Sequence, residues 1–168
     1  MPITDWGYRT MQLHQASWLP HTGRQRIILW GYTAEQVKKH PLLGVGTDST
    51  KPLDARRGPQ VEQPPGYVYQ LRTGPHAHNV YLQAWYELGL PGAALLCAFG
   101  LAVLQVLSHG APIARPFLLA AFVSAAITAS LSWGLWQAWF MGAFAFSAIL
   151  ATLAAELAER RIAPHPTG

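Results

Sequence analysis

The sequence predicts an all-α integral membrane protein, in which a polar extracytoplasmic loop with a short helix is followed by three transmembrane helices. Three observations carry this prediction. Charge is segregated: residues 1–92 hold nine of the 12 Lys and Arg and six of the 8 Asp and Glu. Beyond Gly92 the only charged residues are Arg115, Glu156, Glu159, Arg160 and Arg161. A soluble domain needs a wet face on each surface helix, and this half has none to offer. Three uncharged runs, 88–107, 117–135 and 138–155, each approach the ~20 residues that a ~30 Å hydrocarbon layer needs at ~1.5 Å per residue. Between the last two runs Trp133, Trp136 and Trp139 gather, where an aromatic belt at a membrane interface belongs.

Residues 1–87 therefore form the loop, and 88–168 the three membrane helices with a short cytoplasmic tail. The chain opens on Met1-Pro2-Ile3-Thr4-Asp5, which lacks the basic start and apolar core of a secretory signal. A polar segment on the far side of a membrane must be carried there, so an upstream membrane segment is expected as a partner, with this chain as the C-terminal portion of a longer protein. The one cysteine, Cys97, lies in an apolar run, which excludes a disulfide framework or a thiolate metal site. The loop is mildly basic, and no nucleic acid is expected as a partner.

Within the loop, Thr22-Gly23-Arg24-Gln25 has the capping-box pattern, Ile27 to His40 reads as a helix, and Pro41 stops it. Leu42-Leu43-Gly44-Val45-Gly46 is a turn with two glycines. Thr47 to Gly66, with four prolines, has the composition of a mobile surface loop outside any active centre. Tyr67 to Leu71 reads as a short extended piece. Val80 to Glu87 is a helix leading into the membrane, and Gly89-Leu90-Pro91-Gly92 breaks it at the boundary. Ala121, Ala125 and Ala129, then Ser147, Ala151 and Ala155, form small-residue stripes that suit close helix approach in lipid. Arg115, Arg160 and Arg161 place the first connection and the tail in the cytoplasm, so the loop and the tryptophan hairpin face the periplasm or the cell exterior.

Chemistry concentrates in two places. His76-Ala77-His78-Asn79 stands at the start of the helix that enters the membrane, where helix-start amides favour anions. An imidazole there can exchange a proton near neutral pH. The same residues read equally as an ordinary helix cap from His78 or Asn79. A zinc site from a His-x-His pair lacks a third ligand. The second place is the loop helix, where Arg26, with Arg24 and Arg72 competing for the role, can hold a phosphate in bidentate fashion. A solvated arginine on an amphipathic helix would look the same.

Two blocks resemble a known family. Arg26 through Trp30, followed by His40-Pro41-Leu42-Leu43-Gly44-Val45-Gly46, resembles the arginine–tryptophan helix and glycine turn of the O-antigen ligase and O-antigen polymerase superfamily. His78-Asn79, nine residues, then Gly89-Leu90-Pro91-Gly92 is similar to the ligases' His-Asn-x9-Gly-x-x-Gly signature. The likeness spans roughly Gly23 to Leu107. It implies a membrane glycosyltransferase that moves a glycan from undecaprenyl diphosphate to a lipid or sugar acceptor, such as lipid A-core, without metal or cofactor. His78 would be the base that deprotonates the acceptor hydroxyl, and Arg26 the catalytic cation on the diphosphate. Arg24, Arg72, Asn79 and His76 would bind substrate. Arg9 is the candidate for a further basic residue of the family. The polymerase reaction, transfer to a protein hydroxyl, and a non-catalytic membrane remnant or half of a split protein are the alternatives. A transporter is disfavoured, because no ionisable residue lies inside a predicted span.

Overall fold

The computed structural model describes residues 3–57, 73–110 and 112–162. Among these, all regular elements are helical, as expected: α1 (Ile3–Arg9), α2 (His21–Lys39), α3 (Thr50–Arg57), α4 (Val80–Ser108), α5 (Arg115–Leu131) and α6 (Ala138–Ile162), with one 3-10 turn at Leu13–Gln15. The expected extended piece at Tyr67 to Leu71 and the residue Arg72 lie outside the described residues, as does the stretch 58–66.

The loop helix is longer than its capping-box pattern implied. It starts at His21, and Thr22 lies inside its first turn rather than capping it. Pro20 takes the N-cap position with an extended backbone, and its carbonyl accepts from Gly23 and Arg24 at 2.9 and 3.1 Å. A proline tolerates that place because the helix start asks nothing of its missing N–H. Both Arg24 and Arg26 thus sit on the helix itself.

Helix α1 docks on α2 by charge and by close approach. The buried Asp5 carboxylate pairs with Lys38 at 2.6 Å and with Arg9 at 3.0 Å, and Arg9 also pairs with Glu35. An added Cβ on Gly31 would fall 2.3 Å from the Tyr8 ring, so only glycine lets the two helices meet there. Arg9, the candidate for a further substrate cation, is committed to these two carboxylates.

The segment Thr47 to Gly66 was expected to be mobile and remote from any site; its first part is neither unstructured nor remote. Thr50–Arg57 is helical, and Thr50 and Asp54 are 1% and 3% exposed. Asp54 accepts from the Gly74 N–H at 2.8 Å and from the Thr73 hydroxyl at 3.4 Å. A count of apolar anchors misses this, because the anchors are polar groups satisfied in pairs.

The turn at residues 41–46 is interlocked with the break in α4. Gly89 has φ 66° inside an otherwise helical run, and Gly44 has φ 68°. A Cβ on Gly44 would meet the Glu87 carbonyl oxygen at 2.4 Å, and one on Gly89 would meet the Leu42 carbonyl oxygen at 2.2 Å. Backbone hydrogen bonds stitch the two strips together: Val45 to Tyr86 (3.0 Å), Gly46 to Glu87 (2.9 Å) and Leu90 to Pro41 (3.0 Å). The Trp85 indole N–H adds a bond to the Pro41 carbonyl at 3.2 Å. Below this lock α2 packs on the first half of α4 through Ala34, Val37, Leu82 and Tyr86, with Trp30, Val45 and Leu53 against them.

Past Gly92 the character changes. Leu95, Phe99, Leu101 and Val106 of α4 are all more than 60% exposed, as are Phe117 of α5 and Phe146 of α6. Two helices, Val80–Ser108 and Ala138–Ala158, are long and apolar enough to cross a membrane, and only 6% of the most apolar window of each is buried. A soluble protein's core helix would be mostly covered, so these faces suit lipid or other apolar helices. Helix α5 is apolar but has 17 residues, about 26 Å at 1.5 Å per residue. It ends at Leu131 rather than Leu135. Of the expected small-residue stripe in α5, Ala129 is buried against Val80 and Phe140, whereas Ala121 is exposed.

Candidate functional site

The site is built where three separate segments meet. The first is residues 76–79, which are not helical. His78 has φ 51°, in the left-handed region, at a cost of roughly 1–2 kcal/mol for a non-glycine residue. Asn79 is the helix N-cap: its side-chain oxygen accepts from the Leu82 N–H at 2.9 Å. The cap reading therefore belongs to Asn79 and leaves His78 unused for that purpose. His78 stands off the helix, with its ring free to serve elsewhere.

The second segment is α2. Trp30 donates its indole N–H to the carbonyl of Ala77, between the two histidines, at 2.9 Å. Arg26 lies one turn earlier on the same face, since residues four apart are stacked on a helix. Its charge is felt at the His78 ring. Arg24, two positions away, points around the helix, and its Nε is buried without a hydrogen-bond partner.

The third segment is the tryptophan hairpin between α5 and α6. The His78 Nδ1 lies in a short hydrogen bond with the carbonyl oxygen of Ser132. A carbonyl only accepts, so Nδ1 carries the proton and the neutral ring presents a bare Nε2. Trp133 lies against both imidazoles, its ring centre 5.5 Å from that of His76 and 6.2 Å from that of His78. Gly134 backs onto His76 so closely that a Cβ would fall 2.7 Å from that of His76.

Electrostatics separate the two histidines. His76 is 9% exposed, and burial, then the neighbouring His78, push its pKa down to about 4. It is neutral at physiological pH and walled in by Trp133 and Gly134. The segment is not helical, and the rings meet edge to face with centroids 4.2 Å apart. For His78 burial lowers the pKa, the Ser132 carbonyl partly offsets this, and the Arg26 charge lowers it further. Its neutral, proton-accepting form therefore extends below the ordinary range.

One group that the sequence reading passed over ties the segments together. Glu87 is fully buried at 0% exposure. Its carboxylate accepts from the Asp48 N–H (3.0 Å), the Thr50 N–H (3.1 Å) and hydroxyl, the Gln83 amide (3.0 Å) and the Trp136 indole N–H. It thereby caps the start of α3 from another helix. The Gln83 side-chain oxygen in turn accepts from the Leu135 N–H at 3.0 Å. The one sequence signal for Glu87 was its position: the last charge before a long uncharged run, one helical turn after a glutamine. Ser132 acts through its backbone, so its residue type carried no signal. Trp133 and Trp136, read as part of an interfacial belt, also line the site.

The family described as O-antigen ligase matches residues 3–97, more than half of the chain. The chain belongs to the O-antigen ligase family. A Rickettsia bellii protein (strain RML369-C) named "Putative polysaccharide ligase" is 26% identical over 129 residues, covering 76% of this chain and 31% of that protein. Similarly named proteins of Rickettsia prowazekii (strain Madrid E) and Rickettsia conorii (strain Malish 7) are 26% identical over 117 residues, 69% of this chain and 28% of theirs. The chain thus spans less than a third of the length of these curated relatives. No solved structure matches it significantly. The family's matched region contains His78, Arg26, both glycine strips and Glu87, whereas the hairpin that completes the site lies beyond it.

Proposed function

We propose that this chain is the C-terminal catalytic portion of an O-antigen ligase-like glycosyltransferase, which moves a glycan from undecaprenyl diphosphate to an acceptor sugar such as lipid A-core. The observation that carries the reading is the pairing of His78, with Nδ1 tied to Ser132, and the Arg26 charge beside it. A glycosyl transfer of this kind needs a base for the acceptor hydroxyl and a cation for the leaving diphosphate, close together. The acceptor hydroxyl gives its proton to His78 Nε2 as its oxygen bonds to the anomeric carbon. The bond from that carbon to the diphosphate oxygen breaks, the electron pair leaves with the diphosphate, and Arg26 stabilises the charge. No step requires a metal. Arg24, Arg72, Asn79 and His76 are assigned to substrate binding.

In this reading α4, α5 and α6 all cross the bacterial inner membrane, α5 with the help of its flanking residues, and 1–87 faces the periplasm. Other membrane helices would complete the cavity for the lipid donor. A reporter active only outside the inner membrane should be active when fused near Gln137 and silent when fused after Thr167; the opposite pattern overturns the orientation. For the chemistry, His78→Ala should lower transfer from undecaprenyl-diphosphate glycan by roughly two to four orders of magnitude. Donor binding should change little, and a chelator should leave wild-type transfer intact. Near-normal transfer by a folded His78→Ala protein would remove the base assignment.

A further inference from the structure

Between Glu87 and the His78 ring, the direction of each hydrogen bond is fixed by its chemistry. A carboxylate only accepts, so the Gln83 amide must present its NH2 to Glu87 and its oxygen outward. That oxygen meets a backbone N–H, that of Leu135, which can only donate. The Trp136 indole likewise only donates, and its partner is the same carboxylate. Two adjacent hairpin residues are thus held from one buried anion, and three positions earlier the same hairpin offers the Ser132 carbonyl to His78.

We propose that Glu87 is a positioning residue for His78: through Gln83 and Trp136 it clamps the hairpin so that the Ser132 carbonyl fixes the ring's tautomer and aim. The inference rests on the reading of His78 as the base, and it adds a residue whose side chain touches neither substrate nor base. If the hairpin drifts, Nδ1 loses its acceptor, the ring can carry its proton on Nε2 instead, and the face meant for the hydroxyl is blocked. Arg26 of α2, together with His76 and Trp133, also faces the ring. None of these discriminates between the nitrogens as an acceptor-only carbonyl does.

Two variants test this. Glu87→Gln keeps the shape but replaces one acceptor oxygen with a donor among groups that all donate. Trp136→Phe changes no charge, and the Trp136 side chain is 42% exposed. The readout is the nitrogen spectrum of ¹⁵N-histidine-labelled, substrate-free protein in nanodiscs. Wild type should show His78 as a single Nδ1–H tautomer, and both variants should show a mixture. Transfer should fall about ten- to hundred-fold in kcat with the donor KM unchanged, the range expected when a supporting contact is lost. A wild-type ring protonated on Nε2, or a Trp136→Phe protein that keeps the pure Nδ1–H form, overturns the proposal. A mixed tautomer with undiminished transfer would uphold the clamp and remove His78 as the base.

Discussion

An added Cβ at Gly44 or Gly89 would fall 2.4 or 2.2 Å from a backbone carbonyl, while at Gly100 and Gly142 in the apolar helices nothing lies within 4 Å. The first pair sits where two strips of main chain touch, and the second on helix surfaces open along most of their length. In the polar half, order comes from directed contacts: carbonyls and a carboxylate matched to particular N–H groups, each costly to leave unpaired. In the apolar half, the only demand is that side chains be non-polar and backbone groups satisfied within the helix. Tolerance to substitution should divide along the same line. The chemistry belongs on the first side of it, because a base and a cation must be held in register.

The largest effect is expected from breaking the lock. Gly89→Ala and Gly44→Ala each add left-handed strain of roughly 1–2 kcal/mol to a direct clash with backbone, and should abolish the cooperative unfolding transition in detergent. A normal melting temperature for either would show that the strips do not touch. Next is Trp30→Phe, which strands the buried Ala77 carbonyl at about 1–3 kcal/mol and should lower thermal stability and transfer together.

A subtler change sharpens the comparison within the site. The His78 pKa lies below the ordinary 6.5, in part because of Arg26, so its neutral form should persist into mildly acid solution. Removing the cation with Arg26→Gln takes away one lowering influence, so the pKa should rise. The base is then protonated sooner as pH falls, and the acid limb of kcat/KM should move to higher pH. Titration of the His78 ring by NMR in substrate-free protein checks the sign directly, and a shift to lower pH would contradict it. Donor binding should weaken in the same variant if the guanidinium holds the diphosphate. The smallest effects are expected in the open region. Gly100→Ala and Gly142→Ala should be neutral or stabilising by no more than about 1 kcal/mol, and a large loss at either would reveal a close helix contact there.

The sequence by itself determined the helical class, the division at Gly92, two of the membrane-length helices and the break at Gly89, because each is written in local composition or in residues of special backbone freedom. It also brought forward His78 and Arg26 through the order of two motifs. Tertiary structure decided the rest. That Thr50–Arg57 is a helix with Thr50 and Asp54 buried depends on Glu87, 37 positions from Thr50. That His78 presents Nε2 depends on a carbonyl 54 positions away, and that Trp136 lines the site depends on a carboxylate 49 positions away. The physical reason is common to all three. Hydrophobic periodicity reports which face of an element is buried, whereas a hydrogen bond between distant residues is specified by the position of one atom against another. No local pattern encodes that position; it exists only once α2, α4 and the hairpin have packed.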